Sequence, residues 1–230
     1  MKLGLIYAMP TEIEQLLTLT EGKKLETVSG VSFYALGENI IAAHGGVGKV
    51  NAAMAAQLMI DRYAPEALFN AGIAGTLEEL PPYSMVLASS CMQYDVDTSG
   101  VGDPVAMVST VNRVEFPCAF PEKSRDILRR LEIPFAEGLV ASGDWFAVNG
   151  ERARSIKERF HPLILEMEAC AIAQVAYRAE LPFMALKLVS DRILREAEDG
   201  SEYHFNYDAA CRMLAEKTLP FLRVWAEAEA

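Results

Sequence analysis

The chain has 230 residues, 51% of them hydrophobic, and a formal net charge of −11. That length and apolar content suit one sizeable core, read as a single domain over residues 1–230, while the acidic balance repels phosphodiester backbones and anionic membranes, so neither a nucleic acid nor a membrane is expected as a partner. No run reaches the roughly eighteen apolar residues of a membrane span, Cys91, Cys118, Cys170 and Cys211 lie far apart, and His44, His161 and His204 lack ligand spacing, so no disulfide framework, no metal and a cytoplasmic location are expected.

In chain order, Leu3 to Ala8 reads as a strand, followed after Met9-Pro10 by a helix over Thr11 to Leu19 with Thr11 as its cap and Glu14 at the third helical position. Val31 to Ala35 and Ile40 to Ala43 read as a hairpin across Gly37-Glu38-Asn39. "AHGGVGKVNAA" then opens a helix over Val50 to Tyr63. A phosphate-binding loop would need glycine where Ala43 stands and Ser or Thr where Val50 stands, so its glycines need another reason. Ala67 to Asn70 and Met85 to Ala88 read as strands, and Gln93 to Pro121 as a long irregular excursion suited to a lid or a subunit contact. Helices over Lys123 to Leu131, Glu151 to Phe160, Glu168 to Glu180 and Tyr207 to Ala226 alternate with strands at Gly138 to Ala141, Leu163 to Leu165 and Phe183 to Val189. The last helix is expected to kink at Pro220.

Alternation of apolar strands with amphipathic helices predicts an α/β fold, a three-layer sandwich whose twisted, mostly parallel central sheet is flanked by helices. Ligands of such sheets bind beyond the carboxyl ends of the strands. There the sequence places Met9-Pro10-Thr11-Glu12, Gly45 to Gly48, Gly72 to Gly75, Ser142-Gly143-Asp144, Glu166-Met167-Glu168 and Ser190-Asp191. Taken singly, the glycines suit turns, Glu12 suits a helix amino terminus, and Asp191 beside Ser190 suits a cap. Glu166 and Glu168 differ, because they interrupt a run from Pro162 to Ala176 that otherwise carries no charge. Burying an ionised carboxylate without partners costs several kcal/mol, so both glutamates need a polar ligand or protein donors, of which the ligand is favoured.

Six segments in this order and spacing, GLIYAMPTEIEQL, GGVGKVNAA, NAGIAG, SGDWF, LEMEACAIA and LVSD, make the chain resemble the nucleoside phosphorylase and nucleosidase superfamily over essentially its whole length. Within it the chain is most similar to the 5′-methylthioadenosine/S-adenosylhomocysteine nucleosidases. The resemblance implies a homodimeric hydrolase that releases adenine from 5′-methylthioadenosine or S-adenosylhomocysteine without a cofactor. It assigns Asp191, assisted by Ser190, to adenine N7, and Glu12 to the attacking water. Glu168 would hold the ribose hydroxyls and Met167 pack on the sugar, with Glu166 beside them. Phe146 would stack on the base, and the main chain near Val148 would read its edge. Met9, Val47 and Tyr207 would line the 5′-alkylthio pocket, completed by the partner's 93–121 excursion.

The chain departs from the common pattern at Ile73, where serine is usual, and at Lys187, where arginine is usual, both on the water or ribose side. Lys187 offers a point charge in place of a planar two-pronged donor. The segment between Asp191 and Tyr207 is also rich in charge, with Arg192, Arg195, Glu196, Glu198 and Asp199. These departures leave open a purine nucleosidase for another 5′ substituent (futalosine-type), a purine nucleoside phosphorylase, and a noncatalytic adenosine-binding sensor.

Overall fold

In the computed structural model, which describes residues 1–195 and 200–227, one ten-stranded sheet runs through the molecule. The elements follow as β1 (Leu3–Tyr7), α1 (Pro10–Thr20), β2 (Lys23–Val28), β3 (Val31–Ala35), β4 (Ile40–His44), α2 (Lys49–Tyr63), β5 (Ala67–Thr76) and β6 (Met85–Gln93). After β7 (Glu115–Pro117) come α3 (Pro121–Arg130), β8 (Phe135–Ser142), α4 (Glu151–Phe160), β9 (Ile164–Glu166), α5 (Ala169–Arg178), β10 (Phe183–Arg192) and α6 (Ser201–Glu227). Two short 3-10 turns, Ser99–Val101 and Ser109–Val111, interrupt the excursion that leaves β6.

The sheet is mixed. Parallel ladders join β4 to β1, β1 to β5 and β5 to β10, and also β6 to β8 and β8 to β9. Antiparallel ladders join β2, β3 and β4, and attach β6 to β10, β9 to β5 and β7 to β6. Because β5 pairs with both β9 and β10, the strands β10, β6, β8, β9 and β5 close into a ring. Closure removes free edges on that side of the sheet and brings strand ends distant in sequence around one opening.

Apolar side chains of α1, α3 and α6 pack on one face of the sheet, with Leu16, Leu128, Leu214, Phe221 and Trp225 fully buried. The alanine-rich faces of α2 and α5 cover the other, where Ala55, Ala56 and Ala176 let helix and sheet backbones approach closely. Pro10 and Pro121 each begin a helix, where a missing N–H costs nothing. Among the described residues no helix is long and apolar enough to cross a membrane.

Four expectations change. Strands β5 and β10 run well past Asn70 and Val189, since Gly72 to Gly75 continues the ladder with β10 and forms no turn. The cap of α1 is Met9, and Thr11 lies inside the helix with Glu12, not Glu14, at its third position. The last helix starts at Ser201, six residues before Tyr207, and carries Pro220 inside it. The strands β2, with its pattern of charged and exposed residues, and β7, inside the 93–121 excursion, were not expected. Of the charged segment before Tyr207, Glu196, Glu198 and Asp199 lie outside the described residues.

Candidate active site

The positions after β1, β4, β8 and β9, together with the carboxyl-terminal halves of β5 and β10, surround a cavity of about 290 Å³. Glu12 enters it from the first turn of α1. Its Oε2 accepts the Met9 N–H at 3.0 Å and its Oε1 accepts the Ile73 N–H at 2.9 Å, so both oxygens are oriented by main chain from separate elements. The carboxylate is buried, and burial raises its pKa, opposed by the Met9 and Ile73 amides and by the charge of Lys187.

The glycines of β5 make room for charged groups. A Cβ on Gly72 would sit 3.1 Å from Glu12 Oε1 and 3.2 Å from Lys187 Nζ, and one on Gly75 would sit 2.9 Å from Asp191 Oδ2. Asp191 reaches that space because β10 bulges between Val189 and Asp191, leaving Ser190 as the extra residue. Asn206 of α6 pins the bulge, donating to the Ser190 carbonyl at 2.7 Å while accepting from Tyr83 Oη at 2.8 Å. Ser190 Oγ lies 2.6 Å from Asp191 Oδ1 and 3.2 Å from the Ala74 carbonyl. One hydroxyl proton serves either acceptor, so Ser190 can donate to an ionised Asp191, or donate to Ala74 while a protonated Asp191 donates to it.

Glu166 and Glu168 part company. Glu166 Oε2 accepts from Lys187 Nζ at 2.8 Å, the Glu168 N–H at 3.0 Å and the Ala169 N–H at 2.8 Å, and its Oε1 accepts from Ser142 Oγ. Glu166 thus already holds protein donors, the alternative to a ligand that its burial allowed, while it also lines the cavity. Glu168 Oε1 accepts the Gly48 N–H at 2.7 Å. This contact gives the glycine-rich opening of α2 its reason: Gly48, at φ +96°, turns an amide of a helix amino terminus onto a carboxylate of the cavity. Burial first, then the charge of Glu166, pushes the pKa of Glu168 up to about 8, against the pull of Lys187 and the Gly48 amide. For Lys187, burial alone would lower the pKa, but Glu166, Glu168 and Glu12 outweigh it and the pKa is raised.

The raised Glu168 makes a stability prediction. Its carboxyl stays protonated in the folded chain while the unfolded chain ionises near pH 4.5, so ligand-free stability falls as pH rises from there to about 8. Glu168→Gln removes that titration. Its Tm should match the parent near pH 5 and exceed it by on the order of 5 °C at pH 8.5. Equal Tm differences at both pH values would contradict the assignment.

Of the residues expected at the site, Met9, Glu12, Val47, Ile73, Phe146, Glu166, Met167, Glu168, Ser190 and Asp191 line this one cavity. Of the remaining three, Val148 adjoins Ala147, which forms the wall, and Tyr207 gives way there to Tyr203, one helical turn earlier on α6. Lys187 is buried behind the wall, bound to Glu166. Tyr207 instead stands behind Met9, its hydroxyl 3.6 Å from the thioether sulfur. Trp145, Ile193 and Tyr203 were missed; Tyr203 packs edge-on against Phe146 with ring centroids 4.9 Å apart. Phe146 is 45% exposed, which leaves an aromatic face at the cavity mouth.

Chemically, the cavity combines carboxyl groups on opposed elements with apolar walls, and no lysine or arginine among the described residues lines it. It suits an uncharged ligand with hydroxyls, a heterocycle and an apolar tail. A family model described as the phosphorylase superfamily matches residues 2–223. A 5′-methylthioadenosine/S-adenosylhomocysteine nucleosidase of Shewanella piezotolerans (strain WP3 / JCM 13877) is 32% identical over 213 residues, covering 90% of this chain and 91% of its own. The structure of such a nucleosidase from S. pneumoniae with a transition-state inhibitor superposes with TM-score 0.88 at 27% identity, covering 98% of this chain and 100% of the other. Futalosine hydrolase of Helicobacter pylori strain 26695 superposes with TM-score 0.89 at 23% identity, covering 96% and 97%, a likeness of fold.

Proposed function

This chain belongs to the phosphorylase superfamily, and from that premise we propose that it hydrolyses the N-glycosidic bond of 5′-methylthioadenosine, S-adenosylhomocysteine or both, releasing adenine. The observation that carries the reading is the meeting of Glu12, Glu168 and Asp191, distant in sequence and each buried, around one cavity that no lysine or arginine among the described residues lines.

Breaking the bond from C1′ to N9 builds positive charge on the ribosyl group and negative charge on the base. Asp191, with Ser190 against its Oδ1, donates a proton or hydrogen bond to N7 so that adenine leaves neutral. Glu12 orients a water and takes its proton as the oxygen bonds to C1′, its own oxygens fixed by the Met9 and Ile73 amides. Glu168 receives the ribose hydroxyls, Met167 packs on the sugar, Phe146 stacks on the base, and Met9, Val47 and Tyr203 surround the 5′ substituent.

Water rather than phosphate is the acceptor. The Ile73 N–H is already committed to Glu12, Lys187 to Glu166, and Lys49 to Asp95 at 2.6 Å, so a phosphate dianion would meet carboxylates and no free cation among the described residues. The test is chromatography of a panel of methylthioadenosine, S-adenosylhomocysteine, a futalosine-type nucleoside and adenosine, incubated with and without phosphate. Adenine release from the first two, unchanged by phosphate, is the expected result. Strict phosphate dependence would make the protein a phosphorylase, and binding without turnover would make it a sensor. The single sheet supports treating residues 1–230 as one domain, and a homodimer joined through residues 93–121 belongs to the same proposal. A cytoplasmic location is part of the same proposal.

A further inference from the structure

We propose that Glu166 and Lys187 form a positioning pair that acts through Glu12, fixing how much negative charge the base of the reaction carries. The inference rests on the assignment of Glu12 as that base, but it is tested separately.

Both side chains of the pair are about 2% exposed. A buried ion pair is a weak stabiliser, often matched or bettered by apolar residues of the same volume, so stability alone gives little reason for one here. Its location supplies the reason. Lys187 lies in β10 directly opposite Gly72 in β5, and the missing side chain there lets Lys187 Nζ and Glu12 Oε1 approach the same point, to 3.2 and 3.1 Å. On its other side Nζ is held by Glu166 Oε2 at 2.8 Å. Glu166 is held in turn by Ser142 and by the first amides of α5, which leaves the ammonium little freedom to move.

Among the described residues, other ionisable groups facing Glu12 include Tyr7 from β1, Glu168 from the start of α5, and Tyr203, Tyr207 and Cys211 from α6. Asp191 of β10 lies on the same cavity, and it reaches Tyr203 through space. None of these is cationic. Lys187 is a positive charge that draws the Glu12 pKa down, and Glu166, bound to the same ammonium, is a negative charge that partly cancels it. Removing one member of the pair must therefore move the ionisation of Glu12 in the opposite direction from removing the other. A role confined to holding the fold has no such signature.

The experiment is a pH titration, by carbon-13 NMR, of ligand-free protein labelled at the glutamate carboxyl carbon, with the Glu12 signal assigned by its loss in Glu12→Gln. Lys187→Met should move the Glu12 midpoint up by about one pH unit or more, and Glu166→Gln should move it down by a similar amount. Lys187→Arg, which keeps the charge, should hold the midpoint within roughly 0.3 units of the parent and serves should the methionine variant not fold. Shifts of the same sign in Lys187→Met and Glu166→Gln, no shift in either, or a shift in Lys187→Arg as large as that expected for Lys187→Met would overturn the proposal. No substrate is needed, so this outcome is distinct from that of the nucleosidase reading, which falls if the parent protein cleaves no nucleoside.

Discussion

Asp191→Asn should lower kcat for adenine release by about a thousandfold or more, the upper range for loss of a positioned general acid, while leaving Tm close to that of the parent. Purines leave poorly as anions, so the barrier depends on a proton reaching the ring as the glycosidic bond lengthens. Asparagine keeps the shape of the side chain and an N–H to point at N7, but has no proton to transfer. It fits the same space, because the gap is made by Gly75 and the bulge at Ser190, neither of which the substitution alters. KM should change far less than kcat, since the lost interaction forms chiefly in the transition state. Steady-state kinetics with a Tm control checks this, and less than a tenfold loss of kcat would remove Asp191 from the chemistry.

Glu12→Gln should lower kcat by about a hundredfold to ten-thousandfold and, unlike Asp191→Asn, should also destabilise the protein. Both Glu12 oxygens accept main-chain N–H groups, from Met9 and from Ile73. A glutamine offers one acceptor oxygen and one NH2, so one of those amides would face a donor. An unsatisfied buried donor costs about 1–3 kcal/mol, which for a chain of this size lowers Tm by on the order of 5 °C. Kinetics and thermal unfolding of the same preparation check both effects. Activity above a tenth of the parent's would show that some other group activates the water. An unchanged Tm would show that the two amides do not depend on the carboxylate.

Much of this architecture is legible in the sequence because buried strands leave uninterrupted apolar runs. The runs from Leu3, Ile40 and Phe183 became β1, β4 and β10, and the hairpin across Gly37 formed as expected. The failures have physical causes. Glycine reads as a strand breaker, so Gly72 to Gly75 suggested a turn, whereas here glycine makes space beside Glu12, Lys187 and Asp191 inside a strand. Strand β2 is rich in charge and largely exposed, because it lies at the end of the sheet order, and its apolar pattern is weak. The first turn of α6 carries Tyr203, yet its mixed polar run and the exposed Phe205 gave no apolar periodicity to extend the helix back from Tyr207.

The carboxylates show the same limit. A run from Pro162 to Ala176 with no other charge flagged Glu166 and Glu168 as buried and needing partners, but could not say which partners. Those of Glu166 come from Ser142, Lys187 and the helix it caps, and the partner of Glu168 comes from Gly48, 120 residues away. The order of strands in the sheet brings such segments together. Sequence pattern thus identifies which charges are anomalous, and tertiary structure decides which are held by the protein and which face the cavity.

The central claim, that these buried acids let water replace a purine at the anomeric carbon, is tested most directly by turning over methylthioadenosine in phosphate-free buffer made with oxygen-18 water and weighing the sugar product. Adenine and methylthioribose in equal amounts, the sugar carrying one solvent oxygen after correction for exchange at its open-chain aldehyde, is the expected result. No release until phosphate is added, or a ribosyl phosphate as product, would contradict it.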